Sequence, residues 1–129
     1  MKVVLDTNIL VSAALSPLGN PAKIIKGIKG SEEIQVYYCK EILAEYKDVL
    51  SRPHLKVSPD VQTRIVNTVI KVGILIEPSA SAMVLPDESD RVFYDTAKEA
   101  GATLITGNIK HYHDEDFIMT PSQFLEGLG

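Results

Sequence analysis

The chain has a single cysteine, Cys39, so no internal disulfide can staple it, which fits a reducing compartment. No apolar run approaches the roughly 20 residues needed to span a bilayer, so a membrane partner is not expected. The start has no basic region followed by a longer apolar segment and a cleavage site, so no signal peptide is expected and the cytoplasm is the expected location. Positive charge is also scarce: 13 Lys and Arg against 17 Asp and Glu give a net charge of −4. That balance argues against broad electrostatic adhesion to nucleic acid or membranes. It leaves room for a phosphate substrate handled locally through a metal. What is present is ordinary: 129 residues, 45% hydrophobic and 23% charged, the profile of one soluble domain with one sizeable core.

Along the chain, short β-branched runs alternate with segments of helical periodicity. Val3 to Leu5, "IQVYYC", "ILIE", "ATLIT" and "FIMT" read as strands. Asn8 to Leu15, "PAKIIKGIKG", "KEILAEYKDVL", "SPDVQTRIVNTVIKVG", "DRVFYDTAKEA" and "PSQFLEGL" read as helices. Ser58 and Ser89 suit N-caps, and Gly101 suits the residue just past a helix end. "PSASAMVLPDES" and "GNIKHYHDED" read as loops. Strands alternating with helices predict an α/β fold with helices on both faces of a mostly parallel sheet.

The opening stretch, "MKVVLDTNILVSAAL", raises a physical question. Asp6 ends an apolar strand, and the apolar pattern resumes at once, so the carboxylate sits at a junction inside the fold. Such a group is costly unless something pairs with it. In parallel sheets ligands bind outside the carboxyl ends of the strands, and Asp6 lies at such an end. Three further residues are candidates for the same crevice. Glu45 falls at the edge of an apolar stripe formed by Ile42, Leu43, Tyr46, Val49 and Leu50, although a boundary glutamate needs no function. Asp90 opens a helix, where an acid also complements the helix dipole. Asn108 follows "ATLIT" and Gly107, where Asn also serves as an ordinary turn residue. Oxygen ligands converging on one crevice repel one another unless a cation sits between them. Hard oxygen donors without clustered Cys or His favour Mg²⁺ or Mn²⁺ over Zn²⁺.

Other features have plainer accounts. Glu41 and Asp48 face solvent, and Asp95 points away from the apolar face and reads as surface. His111 and His113, spaced i, i+2 in "HYHDED", read as part of a solvated loop, as does His54 after its helix stop. Lys23, Lys26 and Lys29 form a row that is either a solvated helix face or a phosphate-contacting stripe. Arg91 can pair with a carboxylate or touch substrate phosphate. Tyr37 and Tyr38 read as packing rather than base-stacking residues.

"VVLDTNILVSAAL", "EILAEYKDVL", "DESDRVFYDTAKEAGATLITGN" and "TPSQFLEGL" together resemble the PIN-domain family, closest to the toxin components of bacterial and archaeal toxin–antitoxin systems. The resemblance runs from the first strand to the last helix, which makes residues 1–129 a single PIN-like domain with a three-layer α/β/α architecture. It implies a Mg²⁺- or Mn²⁺-dependent endoribonuclease in which Asp6, Glu45 and Asp90 are the catalytic acids and metal ligands. Asn8 matches the asparagine that orders the first aspartate, and Thr106 a Thr or Ser near the metals. Asn108 stands where the family often has a fourth acid; its amide oxygen can still bind metal but brings no charge, which favours one tightly held Mg²⁺. The implied reaction is in-line attack of water on an RNA phosphodiester, leaving a 5′-phosphate and a 3′-hydroxyl, with Glu45 or Asp90 orienting the water and Arg91 and Lys23 near the substrate. The resemblance also implies an antitoxin partner that inserts a basic residue into the crevice. It further implies a homodimer, for which Ile24, Ile25 and Ile28 offer either a surface or core packing.

Two other classes compete. An aspartyl-nucleophile phosphotransferase needs D-x-D, and position 8 is Asn; a receiver domain needs paired acids before its aspartate, and "MKVVLD" has none. A PIN fold without activity, serving as an RNA- or protein-binding module, is supported by Asn108 and opposed by the three acids kept.

Overall fold

The computed structural model describes residues 1–80, 84–85, 88–112 and 115–128. Its strands are β1 (Lys2–Leu5), β2 (Gln35–Tyr38), β3 (Gly73–Leu75), β4 (Thr103–Ile105) and β5 (Ile118–Met119). The helices are α1 (Thr7–Leu15), α2 (Asn20–Gly30), α3 (Lys40–Leu50), α4 (Pro59–Val72), α5 (Arg91–Ala100) and α6 (Pro121–Leu128). All five strands pair in parallel, in the order β3-β2-β1-β4-β5. The expected mostly parallel sheet is thus wholly parallel.

β1 is the central strand, and Val3, Val4 and Leu5 are fully buried, which explains why its sequence is a continuous apolar run rather than an alternating one. From β1 the chain steps outward to β2 and β3, then crosses back to form β4 and β5 on the other side. Right-handed crossovers put the connections of these two directions on opposite faces. Accordingly α5 packs on β1, β2 and β4, while α1 to α4 and α6 pack among themselves. The strand order reverses between β1 and β4, so the crevice at their carboxyl ends is the topological switch point of the sheet.

Local chemistry sets the element ends. Ser58 Oγ accepts the Val61 N–H at 3.3 Å, and Pro59 opens α4. Gly101 takes the left-handed conformation (φ 64°) that ends α5. Gly73 has no room for a side chain: a Cβ there would lie 2.4 Å from the Val69 carbonyl and 2.7 Å from the Tyr38 ring. The helix boundary lies one residue beyond the expected cap, Ser89. A 3₁₀ turn, Glu88–Asp90, precedes α5, and Asp90 is the flanking residue, without a side-chain capping bond. Its carboxylate is therefore left for other partners.

Ile24 and Ile28 are 2% and 3% exposed, so of the two roles open to them the fold uses core packing. Tyr38 is buried beneath Gly73, while Tyr37 is half-buried. Tyr46 is fully buried and its hydroxyl donates to the Leu5 carbonyl, tying α3 to the end of β1. Tyr46→Phe removes that bond without opening a cavity. It should cost about 1–2 kcal/mol, seen as a lower urea midpoint at unchanged slope.

Candidate functional site

The β1–β4 register pairs Leu5 with Ile105, and the Asp6 N–H extends the ladder to the Ile105 carbonyl at 3.0 Å. That register sets Asp6 beside Thr106, the residue just past β4. Both are buried, at 5% and 0% exposure. Asp6 Oδ2 accepts the Thr106 hydroxyl at 2.9 Å and the Tyr112 hydroxyl at 3.0 Å. Although Asp6 flanks the start of α1, its side chain makes no capping bond and is turned into the crevice. Burial raises its pKa, outweighing the bonds from Thr106, Tyr112 and the Thr7 backbone and the nearby His111, all of which lower it.

Asn8 fastens the two sides of this junction. Its Oδ1 accepts the Gly107 N–H at 2.8 Å and its Nδ2 donates to Thr106 Oγ1 at 3.3 Å. A Cβ on residue 107 would come within 3.2 Å of that Oδ1, so glycine permits the close approach. Thr106 Oγ1 also accepts the Asn108 N–H at 3.0 Å. One donor and two acceptor positions of this hydroxyl are thereby all used, and its proton is committed to Asp6. Asn8 and Thr106, named from the sequence as supports of the first aspartate, both stand at this junction.

The remaining candidates reach the crevice from separate elements. Glu45, on α3, accepts the Thr7 hydroxyl through Oε2 at 3.1 Å. Its pKa is raised, first by burial and further by the Asp6 charge, against the Thr7 bond. Asp90 Oδ2 lies 3.1 Å from His111 Nδ1. Asn108 Nδ2 lies 2.7 Å from His111 Nε2. The Tyr112 hydroxyl is pushed far above its ordinary range, by burial first and then by Asp6, with Asp90 and Glu45 also contributing. Tyr112 thus bonds Asp6 directly and feels Asp90 and Glu45 at longer range.

His111 was expected in a solvated loop and instead touches two of the candidates. The spacing i, i+2 compares it with the wrong partner, because its neighbours are Asp90, in the turn before α5, and Asn108. His113 and Asp114 lie outside the described residues. Tyr112 was not a candidate at all; an aromatic residue among "HYHDED" carries no local sign that its hydroxyl will meet Asp6. Asp95 is the clearest correction. It is 5% exposed rather than surface, its Oδ2 is 3.8 Å from Arg91, and its Oδ1 is buried with no hydrogen-bond partner among the described residues. A helical wheel sees only the sheet side of α5; the other wall comes from the start of α3 and the segment after β3, which with α5 enclose a cavity of about 530 Å³ lined in part by Lys40, Glu41, Glu77 and Asp95. Arg91 bonds Glu88 twice, at 2.6 and 3.0 Å. Lys23 is exposed on α2, and Lys26 and Lys29 join Arg64 along a groove between α1, α2 and α4.

A family model described as the PIN domain matches residues 2–110. The chain belongs to the PIN-domain family. The uncharacterized protein MJ1680 of Methanocaldococcus jannaschii is 34% identical over 111 residues, which cover 84% of this chain and 71% of that protein. Among solved structures, PAE2754 from Pyrobaculum aerophilum superposes with a TM-score of 0.63 at 16% identity, covering 99% of this chain and 95% of its own. VapBC2 from Rickettsia felis, bound to a DNA fragment from their promoter, superposes with a TM-score of 0.57 at 15% identity, covering 93% and 97%. At these identities the two structures carry the fold, a three-layer PIN architecture, which this chain shares.

The donor set of this PIN domain suits a hard cation. Asp6 and Glu45 both hold their protons more tightly than usual, and Glu45 does so partly because of Asp6. A cation between them reverses both effects. Cys39 is buried against Thr96 and takes no part in the crevice. Among the described residues no three His, Cys, Asp or Glu side chains are already drawn together as an ion cage.

A carboxyl group whose pKa is raised by folding binds protons better in the folded than in the unfolded chain. Its contribution to stability falls as pH rises from the ordinary carboxylate range through the raised value. In EDTA at neutral pH the fold carries this cost at Asp6. Asp6→Asn should raise the melting temperature by a few degrees there, and the gain should shrink as pH is lowered toward the ordinary carboxylate range. Scanning calorimetry of both proteins checks the sign.

Proposed function

We propose that this PIN domain is a Mg²⁺- or Mn²⁺-dependent endoribonuclease that hydrolyses RNA phosphodiester bonds, and that it is the toxin of a toxin–antitoxin pair. The observation that carries the reading is the buried Asp6 at the switch point of the sheet, bonded to Thr106 and Tyr112, with Glu45 held by the adjacent Thr7 and Asp90 beside His111, the neighbour of Tyr112. In this reading the three carboxylates and the Asn108 amide oxygen hold the ion. When bound, the ion supplies positive charge to the phosphoryl oxygens and makes nearby water more acidic. The protein's own groups do the rest. Asp6, anchored by Thr106 and Tyr112, is the fixed reference of the site. Glu45 has one oxygen held by Thr7, and the other is available to orient a water and accept its proton; its raised pKa suits that task. Arg91 and Lys23 are proposed phosphate contacts, Arg91 by exchanging part of its pairing with Glu88. Cleavage leaves a 5′-phosphate and a 3′-hydroxyl.

The likeness to VapBC2 of Rickettsia felis supports an antitoxin partner. The groove between α1, α2 and α4 has an apolar floor including Ala13, Ile25 and Val61 and a cationic rim of Lys26, Lys29 and Arg64, which fits an acidic amphipathic segment. With Ile24 and Ile28 in the core, a homodimer would draw instead on exposed apolar residues such as Leu15 and Leu18 at the turn from α1 to α2. The proposed location is the cytoplasm, and no helix among the described residues is long and apolar enough to cross a membrane.

A second reading, a PIN-fold binding module, is favoured by Asn108 in place of an acid. Labelled single-stranded RNA incubated with Mn²⁺, Mg²⁺ or EDTA separates the two. Cleavage should require metal and fall at least about 100-fold in Asp6→Asn, while calorimetry shows the variant folded. Absence of both cleavage and Mn²⁺ binding in the natural protein assigns the binding module.

A further inference from the structure

We propose that His111 is a positioning residue that fixes Asp90 and Asn108 as one unit, through a single imidazole tautomer; the inference rests on the crevice being a metal centre. The 3₁₀ turn Ile109–His111, flanked by Asn108, closes with the His111 N–H donating to the Asn108 carbonyl at 3.1 Å. Residues three apart in a 3₁₀ turn eclipse, so the two side chains stand together. The ring then spans two contacts, 2.7 Å from Nε2 to Asn108 Nδ2 and 3.1 Å from Nδ1 to Asp90 Oδ2. One arrangement satisfies both with a neutral ring. The Asn108 amide donates to Nε2, which leaves the proton of a neutral ring on Nδ1, facing Asp90 Oδ2 at ion-pair distance.

Two consequences follow from that polarity. With its nitrogen turned to His111, the Asn108 side chain presents its oxygen, the atom able to bind a cation, away from the ring. Asp90, which makes no capping bond to α5, is oriented from the side by the imidazole. An aspartate at position 108 would offer Nε2 only an acceptor and would draw the ring proton away from Asp90. The amide at 108 and the imidazole at 111 are therefore matched, and the missing fourth acid reflects that match. Supporting residues of this kind typically alter metal affinity 10–100-fold.

The test uses the full chain. In metal-free protein at mildly alkaline pH, long-range proton–nitrogen spectra should show His111 as the Nδ1–H tautomer, and Asn108→Asp should abolish that signature. Direct Mn²⁺ titration without RNA should show about tenfold weaker binding in His111→Ala. His111→Gln, whose amide offers both a donor and an acceptor, should recover most of the loss. Because the side chain is 46% exposed, melting temperatures should stay close to that of the natural protein. With RNA, kcat should fall in His111→Ala while KM changes little. An Nε2–H tautomer, natural Mn²⁺ affinity in His111→Ala, or a Gln variant no better than Ala overturns the role. Failure of the unsubstituted protein to bind Mn²⁺ overturns the metal-centre reading itself, and this role with it.

Discussion

The hydrogen bond from the Thr106 hydroxyl to Asp6 is the contact on which the site depends. Parallel pairing of β1 with β4 delivers both residues to the same level, one step past the last paired residues. The carboxylate is almost wholly removed from water just past the end of the central strand, a cost that hydrogen bonds offset only in part, since burial still dominates its protonation. Asn8 then locks the partner rather than the acid: it occupies an acceptor position on Thr106 and takes up the Gly107 N–H. With the hydroxyl's remaining acceptor position filled by the Asn108 backbone, the Thr106 proton has one place to go.

This arrangement divides the crevice into two kinds of wall. Asp6, Asn8 and Thr106 sit at strand ends and the first turn of α1, elements locked by the sheet ladder. Glu45 rides on α3, whose position is tied to β1 by the buried Tyr46 hydroxyl. Asp90 and Asn108 precede a helix and a 3₁₀ turn and are held by side-chain contacts to His111 rather than by a ladder. Local stability follows the density of buried contacts, so the strand wall is the firmer of the two. The strand wall keeps the reference carboxylate in place.

Much of this was legible in the sequence, for reasons that also mark the limit. All five strands and six helices announced themselves, because local periodicity and turn chemistry are local properties. Asp6 stood out because an acid directly abutting two apolar segments breaks the usual rule for strand ends. Asn108 followed from the rule about carboxyl ends, whereas Asn8 and Thr106 came from the family resemblance. His111, Tyr112 and Asp95 did not, because their environments are made by elements distant in sequence. Tyr112 meets Asp6 across 106 residues, and the cavity beside Asp95 closes only when α3, α5 and the segment after β3 assemble. Ser89 was chosen as a cap by residue type alone, whereas the 3₁₀ turn moved the boundary to Asp90.

Charge explains why an amide at position 108 need not weaken the proposed chemistry. Asp6, Glu45 and Asp90 together carry three negative charges when ionised, and one divalent cation leaves the crevice with a single excess negative charge. A fourth carboxylate would leave two, a larger barrier to an RNA phosphate, unless a second cation came with it. The chain as a whole is acidic, with a net charge of −4, so its surface supplies no general attraction to offset that barrier. Arg91, beside Asp90 but already bonded to Glu88, is a weak source of compensation. The neutral side chain at 108 keeps an oxygen at the crevice without the charge, and an acidic protein with few cations near its site gains most from that economy.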